Sequence, residues 1–158
     1  MTRKIILALI LVASGIFAAN AQTPEVKIYL QQDVDLPNHM VRTDWVTVKR
    51  PADSKSPLRS ALEWFFDMKI TAEEEKQKIY SIAYGMKFEG VKLKNGVATI
   101  RFSETKKSNY GTMSGAIFEY GLQKTAKQFR AVKRVKICVV GETNMDAEYE
   151  ETIFHRCK

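Results

Sequence analysis

The sequence predicts an α+β fold in which two helices pack on one face of a small, mixed and mainly antiparallel sheet. Three observations support this prediction. Asn95-Gly96 separates two runs rich in Val, Ile and Phe, which is typical of a β-hairpin. Apolar residues recur at helical spacing over 56–68 and 109–130. A nearly continuous apolar run over 132–141 predicts a strand in the centre of the sheet.

Residues 1–21 have the pattern of a secretory signal peptide. Arg3 and Lys4 precede the unbroken apolar run 5–12, and the segment ends in the small residues that a signal peptidase reads. A membrane-spanning anchor is the alternative, but the run is short for a hydrocarbon core of about 30 Å. No cysteine lies near the cleavage point. We therefore expect an exported protein, periplasmic or extracellular, without a lipid anchor.

Residues 22–158 have the length of a single domain with one core. The formal charge is +7 for the whole chain, and it falls to +5 once the signal segment is removed. Because the chain is expected to be exported, we expect no nucleic acid as a partner. A functional use of the charge would involve an anionic envelope polymer, lipid head groups or an acidic protein, and the simpler alternative is a solvated basic surface.

Two strands are expected before the first helix. Residues 25–31 alternate apolar and polar side chains, and 41–49 form a second extended run. The polar turn around Pro37 lacks the glycine and the closing glutamate of a calcium loop, so we expect no metal there.

The first helix begins with Ser56 as N-cap and Pro57 in the first turn. A charged link follows, in which Thr71 is expected to cap one helical turn. Its acidic run 73–75 is more typical of exposed residues at a helix start than of catalytic carboxylates.

The hairpin has a predicted register. A two-residue turn at Asn95-Gly96 and a bulge at Glu89-Gly90 keep the apolar side chains on one face. The expected cross-strand pairs are Leu93–Ala98, Val91–Ile100 and Phe88–Phe102.

The second helix is expected to start near 108–109 and to end near Arg130. Gly115 and Gly121 each cost about 1 kcal/mol in a helix interior, so we expect close approach of the helix to the sheet. Cations near the helix end suit the negative pole of its dipole, and a solvated helix end is the simple interpretation. They also form a candidate basic binding face: Lys124, Lys127, Arg130, Lys133 and Arg134.

Cys138 and Cys157 are the only cysteines, and in an oxidising compartment they are most simply a disulfide. The bond would hold the expected edge strand 152–157 and contribute about 3 kcal/mol. Two free thiols, or a bond to another chain, are the alternatives. A metal site is poorly supported, since His155 is the only histidine nearby.

The order helix, charged link, hairpin, helix, strand resembles the GerMN domain of spore germination and sporulation proteins. The matching runs are SPLRSALEWFF, SIAYGMKFEGVKLKNGVATIRFS and FRAVKRVKICVVGE. Gly85, Asn95-Gly96 and Ser103 match the family's turn and strand-end positions, whereas Lys69-Ile70 replaces its usual Gly-Pro. The resemblance implies an exported or lipid-anchored envelope protein with a scaffold or interaction role, and it provides no catalytic residues.

We therefore expect a non-catalytic interaction module without a cofactor, whose partner is an envelope protein or an anionic cell-wall polymer. Self-association into a homo-oligomer is a further alternative. A small hydrolase is the rival, because His39, Ser103 and His155 are present, but no G-x-S-x-G or H-E-x-x-H motif brings them together.

Overall fold

The computed structural model describes residues 23–67, 69–105, 112–141 and 154–157. The predicted signal peptide lies outside this range and stays a prediction. The strands are β1 (Glu25–Asp35), β2 (Val41–Pro51), β3 (Ile79–Tyr80), β4 (Met86–Lys94), β5 (Val97–Glu104), β6 (Arg134–Val139) and β7 (His155–Arg156). The helices are α1 (Pro57–Asp67), α2 (Ala72–Lys76) and α3 (Thr112–Lys127), and a short 3₁₀ turn covers Pro37–His39.

The first sheet has the strand order β2-β1-β3. β1 and β2 pair antiparallel along their whole length, from Glu25 opposite Pro51 to Asp35 opposite Val41. Both strands extend beyond their predicted ends, because the chain reverses direction within the few residues around the 3₁₀ turn. Asn38 and His39 make this possible by adopting positive φ angles of 70° and 59°.

The second sheet has the order β4-β5-β6-β7, with β4 antiparallel to β5 and with β5, β6 and β7 mutually parallel. The three predicted hairpin pairs are all present, and the register shifts between Phe88 and Gly90 as expected of the bulge. Asn95 and Gly96 have φ angles of 50° and 76°, as a type I′ turn requires. β6 lies between two strands, as its apolar sequence predicts.

The α+β prediction is confirmed, although the strands divide between two sheets. The division arises because β3 is only two residues long and pairs with β1 rather than with the hairpin. α1 contacts both β1 and β4, and α3 contacts both β1 and β6, so the helices join the two sheets around one core. Its centre is a set of aromatic rings: Phe65, Phe66, Phe102, Phe118 and Phe154.

α3 lies close to the first sheet at Gly121, as predicted, whereas a Cβ atom at Gly115 would make only an ordinary contact of 3.8 Å with the Phe154 ring. A Cβ atom at Gly121 would come within 2.6 Å of Ile82 Cδ1 and 3.0 Å of Trp45 Cζ3, so only glycine fits without movement. The same helix, together with the residue that follows it, hydrogen-bonds to the part of β1 that β3 does not reach. Tyr29 N donates to Thr125 Oγ1, and the Gln128 amide bonds to both the N–H and the C=O of Lys27.

Candidate functional site

The two faces of the second sheet differ completely in side-chain character. In β5, Ala98, Ile100 and Phe102 are fully buried against the helices. The alternating residues Thr99 and Arg101 point to the opposite face, as the two-residue period of a strand requires. On that face the described part of the chain presents exposed side chains rather than a packed helix.

A groove crosses this outer face, and we call it the sheet groove. Its floor is formed by β5, with Val97 and Thr99 near the hairpin turn and Arg101 further along. Two adjoining depressions, of about 430 Å³ and 720 Å³, make up its length and share lining residues at Thr99. Cations from four strands line it: Lys92, Lys94, Arg101, Arg134, Lys136 and Arg156.

The strand register sets the spacing of these cations. Lys92 and Lys136 lie on either side of Thr99, two strands apart or about 10 Å. Lys94 and Arg134 lie on either side of Val97 in the next outward-facing row, about 7 Å along the strands. Four positive charges therefore surround one end of the groove.

These four cations have no carboxylate within salt-bridge distance in the described ranges. Their charges therefore add to a local positive potential that attracts anions. The acid among the lining residues is Glu89, at the bulge. It accepts a hydrogen bond of 2.6 Å from Ser103 Oγ and lies 3.2 Å from Lys87 Nζ. The Ser103 hydroxyl, followed by Lys87, holds the pKa of Glu89 below its ordinary value.

The other end of the groove is bordered by the disulfide. Cys138 and Cys157 are joined in the structure, with Cα atoms 5.0 Å apart. The bond fixes β7 beside β6 and thereby holds Phe154, whose ring packs on Phe102 and Phe118. It thus connects the groove rim to the aromatic core.

The five cations predicted to form a basic face lie on α3, in the segment that follows it and at the start of β6. Lys124 Nζ lies 5.2 Å from the Tyr120 ring centre on α3, and Lys127 donates to Gln123. Arg130 follows the end of α3 and is exposed. Lys133 lies against the hairpin turn at Gly96, and only Arg134 lines the sheet groove. A binding role for the five together stays a prediction.

The two candidate catalytic residues whose side chains are described belong to different sheets of the fold, His39 to the turn between β1 and β2 and Ser103 to β5. His39 is exposed in the 3₁₀ turn, and the His155 side chain lies outside what the structure describes. Ser103 donates to Glu89, whose lowered pKa makes it a weak base. Among the described residues, no group of three or more His, Cys, Asp or Glu side chains could hold a metal ion.

A second charged cluster holds elements together. Arg50 on β2 makes a bidentate ion pair with Glu74 on α2, with N–O distances of 2.8 and 2.6 Å. Both side chains are largely buried, at 12% and 13% exposure. The predicted cap at Thr71 is present, and Glu74 extends it to a capping box by accepting from the Thr71 backbone N–H. The hydrogen bond from Arg50 is the main cause of the lowered pKa of Glu74.

Sequence reasoning missed the lysines of the groove. The signal was present, because Lys92 and Lys94 alternate with apolar residues in one strand and Arg134 and Lys136 do so in another. What was lacking was the parallel pairing of β5 with β6, which places the two sets on either side of β5.

With the fold described, its relatives can be compared. The family model for Germane, described as sporulation and spore germination, matches residues 27–144. The chain belongs to this family. The Germane match includes the hairpin, both long helices and β6, and its description names biological processes and no reaction. No curated protein matches the chain.

A solved structure of a GerMN domain has a similar fold. The first GerMN domain of the sporulation protein GerM from Bacillus subtilis matches with a TM-score of 0.51 and 20% identity, over 85% of this chain and 92% of that one. The tandem GerMN domains of the same protein match with a TM-score of 0.49 and 21% identity, over 74% of this chain and 39% of that one. At this identity the likeness of the first domain concerns the fold, and the predicted GerMN resemblance is confirmed.

No helix in the described ranges of this Germane chain is both long enough and apolar enough to cross a membrane.

Proposed function

We propose that the protein is an exported, non-catalytic binding module of the bacterial cell envelope, which holds an anionic envelope partner in the sheet groove. The observation that carries this proposal is a group of four cations that have no carboxylate partner in the described chain, on a sheet face that no described helix covers: Lys92, Lys94, Arg134 and Lys136. A surface with only a structural role would be more stable with acidic residues between the basic ones, since neighbouring like charges repel one another.

Two further observations support the proposal. The signal-peptide pattern of residues 1–21 directs the chain to a compartment where anionic polymers and acidic surfaces are common. Membership of a family described by sporulation and germination fits a role in envelope assembly better than a reaction. Ser103 and Glu89 alone make a poor catalytic pair, because the carboxylate is a weakened base.

The test is salt-dependent retention on envelope preparations. The protein purified after export is incubated with washed envelope fractions, and the bound amount is measured as salt rises. The double variant Lys92→Gln/Lys136→Gln removes the central pair of groove cations. Lys55→Gln/Lys76→Gln makes the same charge change at exposed positions that lie outside the groove.

We expect the wild type and the control to bind at low salt and to dissociate together as salt rises, because surface charges are screened. The groove variant should bind about tenfold more weakly. Equal retention of all three proteins, or retention that does not change with salt, would refute the proposal.

A further inference from the structure

We infer that the ligand of the sheet groove is a linear phosphate polymer that lies extended along β5, an inference that rests on the proposed function. Three features of the groove support it: its shape, the type of its cations and the groups on its floor.

The shape favours a chain rather than a single small anion. The two depressions are continuous, since both are lined by Lys92, Thr99 and Lys136. The floor from Val97 to Arg101 spans about 14 Å at the usual rise of a strand. Cations recur along the groove in successive rows. A ligand with a single charge would therefore contact only some of them.

The cation types suit phosphate. Three of the four charges around the hairpin end are lysines, and Arg101 and Arg156 line the other end. Lysine is a compact point charge with freely rotating donors that binds phosphate without a fixed geometry, and the fork of arginine matches phosphate oxygens as well. This mixture suits a flexible polymer with repeated tetrahedral anions, and poly-glutamate is the probe that tests a repeated carboxylate instead.

The floor offers one further donor. The Thr99 side chain is half-buried between Lys92 and Lys136, and no partner within the described residues hydrogen-bonds its hydroxyl. A hydroxyl at this position can donate to a phosphate oxygen that the two lysines neutralise. Val97 forms the floor of the next row, where the spacer between two phosphates would lie.

The lining argues against nucleic acid as the phosphate polymer. Single-stranded nucleic acids are bound by combining a basic groove with aromatic side chains on which the bases stack. Among the described residues, those that line the two depressions include no aromatic ring. The groove can therefore hold a charged backbone but provides no stacking surface for bases.

The experiment compares probes of one chemistry and different length. Binding of the purified exported protein is measured by calorimetry for poly(glycerol phosphate) and for glycerol 3-phosphate at equal phosphate concentration. Poly-glutamate of matched charge tests an acidic peptide, and vesicles containing an anionic phospholipid test a lipid surface. Wild type, the Lys92→Gln/Lys136→Gln variant and the Lys55→Gln/Lys76→Gln control are compared, after thermal unfolding has checked that all three are folded.

We expect the polymer to bind at least about a hundredfold more tightly per phosphate than the monomer, because several charges engage one chain. The groove variant should lose about tenfold in affinity, and its slope of log affinity against log salt should be smaller by about 1.4. The control should match the wild type. A Thr99→Val variant should weaken polymer binding while leaving the salt slope unchanged, since it removes a donor and no charge.

Other outcomes would overturn the inference in distinguishable ways. Equal binding of monomer and polymer would indicate a small-molecule phosphate site, and preference for poly-glutamate or for vesicles would identify a different ligand class. In these cases the groove variant would still lose binding, and the proposed function would stand. If the groove variant and the control bound the polymer equally, both proposals would fail.

Discussion

The inner and outer faces of the second sheet are made by the same strands and serve different purposes. On the inner face, Ile100 and Phe102 are fully buried beneath the helices. On the outer face, the side chains of Lys92 and Lys136 are exposed, and that of Thr99 is half-buried between the two lysines. The comparison teaches that strand alternation lets one sheet stabilise the core with one face and leaves the other face free for the binding that we propose. Substitutions on one face should therefore change one property and leave the other intact.

The largest effect on stability is expected from the inner face. Phe102 contacts the rings of Phe66, Phe118 and Phe154 at centroid distances of 5.3 to 6.0 Å. Phe102→Ala should lower the free energy of unfolding by about 4 kcal/mol, through lost burial and the cavity that remains. Chemical denaturation measures this. A loss below about 1 kcal/mol would contradict the packing described, because removing a fully buried phenyl ring costs several times more than this.

The next effect is expected at the disulfide, which connects the groove rim to the inner face. Replacing both Cys138 and Cys157 with alanine removes a link between residues 19 apart in sequence and should cost about 3 kcal/mol. Thiol titration of the denatured, unreduced wild type should find no free cysteine. Two free thiols in the exported protein would show that the bond does not form.

A smaller effect is expected from the ion pair between β2 and α2, which lies away from both faces. Glu74→Gln should cost about 2 kcal/mol, because it leaves the largely buried Arg50 without its charged partner. The pKa of Glu74 is lowered in the folded protein. Its contribution is therefore present above the ordinary carboxyl range and is lost as pH falls through the lowered folded-state pKa.

The pH dependence gives this prediction its own control. The difference in stability between wild type and Glu74→Gln should be largest near neutral pH and should shrink in acid. Glu63→Gln is the matched variant, since Glu63 makes an exposed ion pair with Arg59 within α1 and should change stability by less than about 0.5 kcal/mol. A difference that is independent of pH would contradict the role assigned to Glu74.

The smallest effect on stability is expected on the outer face. Lys92→Gln/Lys136→Gln should change the free energy of unfolding by less than about 0.5 kcal/mol, because both side chains are exposed and unpaired in the described chain. A small gain in the free energy of unfolding would also agree with the description, since neighbouring like charges are removed. A loss comparable with that of Phe102→Ala would mean that these lysines are structural and that the two faces are not independent.

The hairpin could be predicted in detail because its signals are local. Asn95-Gly96 fixes the turn, and the shift of apolar residues from even to odd positions requires the bulge at Gly90. The cap at Thr71 was equally readable, since its partner Glu74 is three residues away. The disulfide could be predicted because the chain has only two cysteines.

The groove and the division into two sheets could not be predicted in the same way. Lys92 and Lys136 are brought together only by the parallel pairing of β5 and β6, which no local pattern specifies. The two-residue β3 is too short to have a periodic signal. Arg50 and Glu74 meet across separate elements, so the acidic run was interpreted only as a helix start.

The most direct test of the account is to map the binding surface by NMR. Backbone amide shifts are followed as poly(glycerol phosphate) is added to the isotope-labelled protein. The account predicts that the changes concentrate at Lys92, Thr99 and Lys136 and are absent from the end of α3. Changes centred on Lys124 and Lys127, or spread evenly over exposed lysines, would contradict it.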